Sequence, residues 1–302
     1  MTDPFGDRLA RVVGERQTNI VLGLDPDPGR LWPDAHHAAG SGPPEQQLAR
    51  AALAHCRLVV DAVAPAVVGV KPQVACFERL GTAGRTVLGA VCDYARERGL
   101  LVIADAKRGD IDVTARAYAE AFLGETTSPF GPVAGLGADA LTANPYMGGD
   151  TLEALLAVAR PRGRGLFVLV RTSNPGATDV EDLETQPDGE PVWARVARLV
   201  AGLAGDGAAL SDVGAVVGAT APEHVARLRE LMPRTPFLLP GVGAQGGRVE
   251  GLAPAWAIGP AGGLVTVSRS LVRAHEAAGS HPATAARAEA ERLRALAWAL
   301  AA

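Results

Sequence analysis

The stretch LVIADAKRGDI, residues 101–111, places Lys107 between Asp105 and Asp110 in the pattern D-x-K-x-x-D. Of the 29 basic side chains in the protein, Lys71 and Lys107 alone are lysines and the rest are arginines. Arginine serves solubility elsewhere in the chain, which points to a chemical use for these two lysines. A composition rich in Ala and Arg also follows from genomic base composition, the plainer explanation. Carboxylates hold a neighbouring ammonium charged, whereas a Schiff-base lysine must lose its proton through burial or a nearby cation. The pattern therefore favours Lys107 as a proton donor or as a fixed cation that stabilises developing negative charge. A structural ion pair for Lys107 with Asp105, and a helix N-cap role for Asp110, are the alternatives.

Such charges need elements that bring them together. Eight short apolar runs read as strands: NIVLGLD (19–25), AVVGVKP (66–72), LVIADAK (101–107), ALTANP (140–145), LFVLVRT (166–172), VGAVVGA (213–219), PFLLPG (236–241) and GLVTVS (263–268). Their near-continuous apolarity suits strands buried on both faces of a parallel sheet. Helical patterns alternate with them, which predicts crossover helices and, with eight units, a closed (β/α)8 TIM barrel in which 1–302 form a single domain. An open doubly wound sheet is the alternative, but no G-x-G-x-x-G follows the first strand. Two Pro- and Gly-rich loops, 26–44 and 173–191, are longer than a minimal barrel needs and are expected to be lids or binding segments. Residues 282–302 read as an amphipathic helix closing the barrel.

In such a barrel, functional groups sit at the C-terminal strand ends. Asp25 ends the first strand, Lys71 the second, and Asp105 and Lys107 the third, so four charges converge on one mouth. Strand alternation predicts that 105 and 107 share a face while Ala106 and Arg108 point the other way. The loop PGVGAQGG (240–247) offers backbone N–H groups and Gln245 to a phosphate, and SRS (268–270) offers Arg269 for a forked contact. After the fifth strand, Thr172, Ser173 and Asn174 are short polar groups suited to a planar polar ring, or simply residues that form a turn.

The formal charge of −4 and the lack of a basic block argue against a nucleic-acid surface and favour a small-molecule substrate. Cys56, Cys76 and Cys92 show no metal-type spacing and suit free thiols in a reducing cytoplasm. The charged N-terminus lacks the apolar run of a signal peptide, and no unbroken apolar run reaches the length of a membrane span. The six histidines are scattered and suggest neither a zinc cluster nor a serine triad.

LGLD, VGVKP, ADAKRGDI, SNPGA, PGVGAQGG and VSRS, in this order and at these strand ends, resemble the orotidine 5′-monophosphate decarboxylase family from about residue 19 to about 273. The long loops resemble its larger bacterial class. The resemblance implies a homodimeric barrel that uses no cofactor or metal and converts orotidine monophosphate to uridine monophosphate and carbon dioxide. By motif position it implies Lys107 as proton donor to C6 beside Asp105, with Asp25 and Lys71 at the ribose and in the charged network. Asp110, Ile111 and Thr114 would reach into the partner's site, Ser173 would read the pyrimidine, and Pro240, Gln245 and Arg269 would lie along the phosphate loop and grip.

The sequence departs from the family pattern D-I-P-x-T at Asp112, which occupies the proline position, and Asn174 stands where some relatives carry histidine. Two competing readings share the barrel. One is a metal-dependent enzyme acting on acyclic sugar phosphates through an enediolate, with Asp25, Asp105 and Asp110 as oxygen ligands. The other is a nucleotide-binding barrel without turnover, which gives no reason to set Lys107 between two acids.

Overall fold

The computed structural model describes residues 2–205 and 209–302. Eight parallel strands close into a barrel: β1 (Ile20–Leu24), β2 (Gly69–Pro72), β3 (Leu101–Arg108), β4 (Ala140–Ala143), β5 (Gly165–Arg171), β6 (Val213–Val217), β7 (Phe237–Pro240) and β8 (Gly263–Val267). Each strand pairs with its sequence neighbours, and β1 closes on β8 through Ile20 opposite Val265. The expected eight strands are all present, mostly shorter than read. β2 starts late because Ala64–Ala66, which contain Pro65, wind as a 3₁₀ turn, and β4 stops before Asn144 and Pro145.

The longer helices are α1 (Phe5–Arg16), α2 (Pro44–Val63), α3 (Gly81–Glu97), α4 (Asp112–Leu123), α5 (Gly149–Ala159), α6 (Val192–Gly202), α7 (Glu223–Leu231) and α8 (Pro282–Ala301), with one-turn helices between some of them, among them Arg269–Val272 after β8. α2 and α8 open on a proline at their first position, where the missing N–H costs nothing and φ is already helical. After β7 the crossover is the 3₁₀ segment Val249–Trp256, whose Pro254 is incompatible with a regular α-helical ladder. The C-terminal α8 fills the remaining place in the outer ring, packed on α2 and that 3₁₀ segment.

Both strand faces are apolar because both are covered. One face, including Leu22, Val70, Val102, Val168, Leu239 and Val267, packs under the helices, while Val21, Ile103, Phe167, Leu238 and Leu264 fill the barrel interior. α1, which the charged N-terminal sequence concealed, lays Phe5, Leu9 and Val13 into that interior cluster and plugs the barrel floor. Phe5 meets Phe167 edge to face, ring centroids 6.0 Å apart. Gly165 permits this approach, since a Cβ there would lie 2.3 Å from the Phe5 ring.

Charge fixes the plug. Asp139, 4% exposed, accepts hydrogen bonds from Arg8 of α1 (2.6 Å), from Arg164 (2.5 Å) and from the Val102 N–H (2.8 Å). Removing a buried carboxylate strands two guanidinium groups and an amide, so Asp139→Ala is expected to cost about 3 kcal/mol of stability. A urea midpoint unchanged from wild type would rule out this latch.

Candidate active site

The polar groups emerge above the apolar floor. A cavity of about 550 Å³ opens at the C-terminal ends of the strands, lined by alternate residues of the barrel wall: Gly23 and Asp25, Lys71 and Gln73, Asp105 and Lys107, Thr142, Pro240, Thr266 and Ser268. Its size suits a nucleotide-sized ligand. Thr172, Ser173 and Asn174 enter from the β5 loop, Gln245 from the β7 loop, and Arg269 from the short helix after β8.

Asp105 lies at the centre. Its Oδ2 receives Lys71 Nζ at 2.5 Å and Gln73 Nε2 at 3.1 Å, and its Oδ1 receives Lys107 Nζ at 2.6 Å and the Thr142 hydroxyl at 3.0 Å. Lys71 and Asp105 are buried, whereas the Lys107 side chain is 46% exposed and faces the open cavity. Burial alone would raise the Asp105 carboxyl pKa, but the two ammonium groups and their hydrogen bonds outweigh it and hold it at about 2.

A carboxyl depressed in the folded state stabilises the protein at pH above its unfolded value near 4, and that contribution disappears as pH falls through about 2. The magnitude is of the order of 2 kcal/mol. The difference in melting temperature between wild type and Asp105→Asn is therefore expected to shrink as pH falls from about 4 to about 2. A pH-independent difference across that window would contradict the depressed carboxyl.

Asp105 and Lys107 do share the cavity, but regular alternation is not the reason. The β3–β4 register jumps from Ala104 opposite Leu141 to Arg108 opposite Ala143, and Lys107 adopts φ 49°, a region that non-glycine residues seldom occupy. The bulge aims the lysine. No motif in the sequence marks Gln73 or Thr142. Gln73 follows Lys71 by two residues, so its place on the same strand face was the available signal.

Ser173 and Gln245 come together across the mouth, with Ser173 Oγ donating to Gln245 Oε1 at 2.9 Å. The root of the 173–191 loop is clamped: Arg171 pairs with Glu181 (3.2 Å) and Asp182 (3.1 Å), and Glu181 also accepts the Thr172 N–H at 2.9 Å. That clamp holds Ser173 at the rim. The 26–44 loop contributes nothing to the cavity lining. Its Trp32 instead donates from Nε1 to the Val272 carbonyl (2.8 Å) and from its backbone N–H to His55 Nδ1 (3.0 Å), straps that tie the loop to the barrel side.

Asp25 and Arg269 stand exposed at the cavity rim, and Pro240 forms part of its wall. Asp110, Ile111 and Thr114 lie outside this chain's cavity lining. The N-cap alternative for Asp110 does not hold: the cap position is Ile111, whose N–H donates to Asp110 Oδ1 at 2.8 Å. Asp112 has φ 44°, a value closed to the proline ring that the family pattern carries there. Thr266, a residue of the cavity wall, keeps its Oγ1 buried without a protein hydrogen-bond partner. Cys56 and Cys92 are buried, and all three thiols are free.

A parallel eight-stranded barrel with a lysine–aspartate–lysine cluster in its mouth and a Gln and an Arg after the seventh and eighth strands defines a class of barrel enzymes acting on phosphorylated substrates. A sequence model of the orotidine 5′-phosphate decarboxylase / HUMPS family matches residues 18–286, and the chain belongs to that family. It is 43% identical over 275 residues to the orotidine 5′-phosphate decarboxylase of Rhodopirellula baltica, covering 90% of this chain and 89% of that one. It is 41% identical to the Deinococcus radiodurans enzyme of the same name, covering 90% of each. The structure of Leishmania donovani UMP synthase superposes with a TM-score of 0.74 at 32% identity, covering 99% of this chain and 57% of that one.

Proposed function

We infer that this chain is an orotidine 5′-phosphate decarboxylase, converting orotidine 5′-monophosphate to uridine 5′-monophosphate and carbon dioxide in pyrimidine biosynthesis. The observation that carries the reading is the Lys107 ammonium, held 2.6 Å from the Asp105 carboxylate at the edge of an open cavity. Breaking the bond between C6 and the carboxylate leaves an electron pair in the plane of the ring, where no π system absorbs it. A fixed cation at C6 stabilises that charge as it develops. Lys107 then gives its proton to C6 and regains one from solvent.

The remaining residues divide the substrate between them. Gln245 and Arg269 hold the phosphate over the glycine-rich β7 loop, Pro240 forms the wall beside it, Asp25 and Lys71 meet the ribose, and Ser173 reads the pyrimidine edge. Phosphate binding far from C6 supplies energy that orders the charged cluster. Asp105 faces the departing carboxylate and holds the Lys107 ammonium in place through their 2.6 Å hydrogen bond. The chain acts as one domain, in the manner of the larger bacterial class, in the cytoplasm and without a resident metal, cofactor or nucleic-acid partner. Among the described residues no helix is long and apolar enough to cross a membrane.

A homodimer completes the site. Asp110, Ile111 and Thr114 serve the partner's cavity. Two features support this: Asp110 does not line its own cavity, and Ile111 and Val113 at the start of α4, with Tyr146 and Met147 on the adjoining β4 loop, expose apolar surface. The metal-dependent sugar-phosphate reading needs Asp25, Asp105 and Asp110 as ligands. Both oxygens of Asp105 are already taken by four donors, and among the described residues no three His, Cys, Asp or Glu side chains gather to share an ion.

The test is the loss of orotidine monophosphate absorbance on adding purified protein, with and without EDTA. Equal rapid turnover in both is expected. No turnover by folded protein, or turnover that EDTA abolishes, overturns the assignment.

A further inference from the structure

The bulge that aims Lys107 breaks the β3–β4 ladder at the residue that carries the proposed proton donor. With Ala104 opposite Leu141 and Arg108 opposite Ala143, the Lys107 N–H has no ladder carbonyl. It donates instead to the Thr142 hydroxyl at 2.8 Å. Thr142 is 1% exposed, and the same hydroxyl lies 3.0 Å from Asp105 Oδ1. A hydroxyl carries one proton, and with a backbone amide donating into it, that proton is free to point at the carboxylate. One oxygen atom thus connects the Lys107 backbone to the carboxylate that holds the Lys107 ammonium.

We infer that Thr142 is a positioning residue for decarboxylation. It fixes the strained backbone of Lys107 and the Oδ1 atom of Asp105 relative to each other, so the ammonium is already in place when charge develops at C6. The inference rests on the decarboxylase reading above. Without the hydroxyl, Lys107 keeps its side chain and its charge but loses the pin that sets its φ of 49°. Misplacement of a reacting group by about 1 Å costs on the order of 100-fold in rate. Valine matches threonine in shape and can neither accept nor donate; serine keeps the hydroxyl and loses only a methyl.

Steady-state kinetics on wild type, Thr142→Val and Thr142→Ser, with melting temperatures alongside, test this. The expected result is kcat lowered about 10- to 100-fold in Thr142→Val with KM within about threefold, and kcat in Thr142→Ser within about threefold of wild type. Wild-type kcat in Thr142→Val overturns the inference. So does an equal loss in Thr142→Ser, which would assign the effect to the methyl, or a loss of kcat matched by a rise in KM and a large fall in melting temperature. If Thr142→Val fails to fold, Thr142→Ala against Thr142→Ser makes the same comparison. An inert wild type sinks the decarboxylase reading and this role with it, whereas an active wild type with an unaffected Thr142→Val sinks this role alone.

Discussion

Lys107→Ala is expected to lower kcat by about 10⁴-fold or more while leaving KM within a few-fold of wild type. Two effects combine in that figure. Removing one preorganised electrostatic group costs on the order of 10²–10³ in rate, and removing a general acid costs about 10²–10⁴. They overlap in one side chain, so the product is an upper bound, and about 10⁴ corresponds to roughly 5.5 kcal/mol of lost transition-state stabilisation. Ground-state binding should survive, because Gln245, Arg269, Ser173 and Asp25 line other parts of the cavity and approach from other strands. The measurement is the absorbance assay under saturating substrate, with binding of uridine 5′-monophosphate by calorimetry as the control for folding. Turnover within tenfold of wild type would remove Lys107 from the chemistry. Lost activity together with lost nucleotide binding would show a collapsed site instead.

The sequence told more about this site than about the frame around it. Asp25, Lys71, Asp105, Lys107, Ser173, Gln245 and Arg269 stand at or just beyond the C-terminal ends of β1, β2, β3, β5, β7 and β8, and a closed parallel barrel leaves only one mouth for them to line. Strand periodicity carries that information, because alternation assigns each side chain to the interior or the helix layer. It fails at Lys107. The bulge depends on a hydroxyl from β4, 35 residues away in sequence, and no local pattern announces it. The same holds for Asp139 with Arg8 and Arg164, three charges from separate elements that look like ordinary surface residues until the barrel floor brings them together. α1 was hidden for a related reason: its Phe5, Leu9 and Val13 fall four residues apart among charged neighbours, and only the open end of the barrel gives that sparse apolar stripe somewhere to go. The antiparallel ribbon of Glu125–Thr126 with Val133–Ala134 gave no signal either, since two-residue strands have no periodicity to read.

Asp110 provides the second large effect, and the more discriminating one. It follows Lys107 by three residues yet does not line the cavity that Lys107 enters. If it serves the partner's site, Asp110→Ala is expected to lower kcat/KM by about 10²-fold or more, by removing a charge from a network in which each group orders the next. The alternative explanation, damage to the start of α4, predicts loss confined to the mutated chain. Mixing separates the two. When Asp110→Ala and Lys107→Ala chains are unfolded together and refolded, half of the dimers formed at random contain one of each. In such a dimer one site lacks both groups, and the other pairs an intact Lys107 with an intact Asp110 from its partner. About a quarter of all sites should therefore regain wild-type activity, from two preparations that each retain about 1% of it or less alone. A mixture no more active than its parents would place Asp110 outside the partner's cavity and leave the exposed surface of Ile111 and Val113 without a catalytic reason.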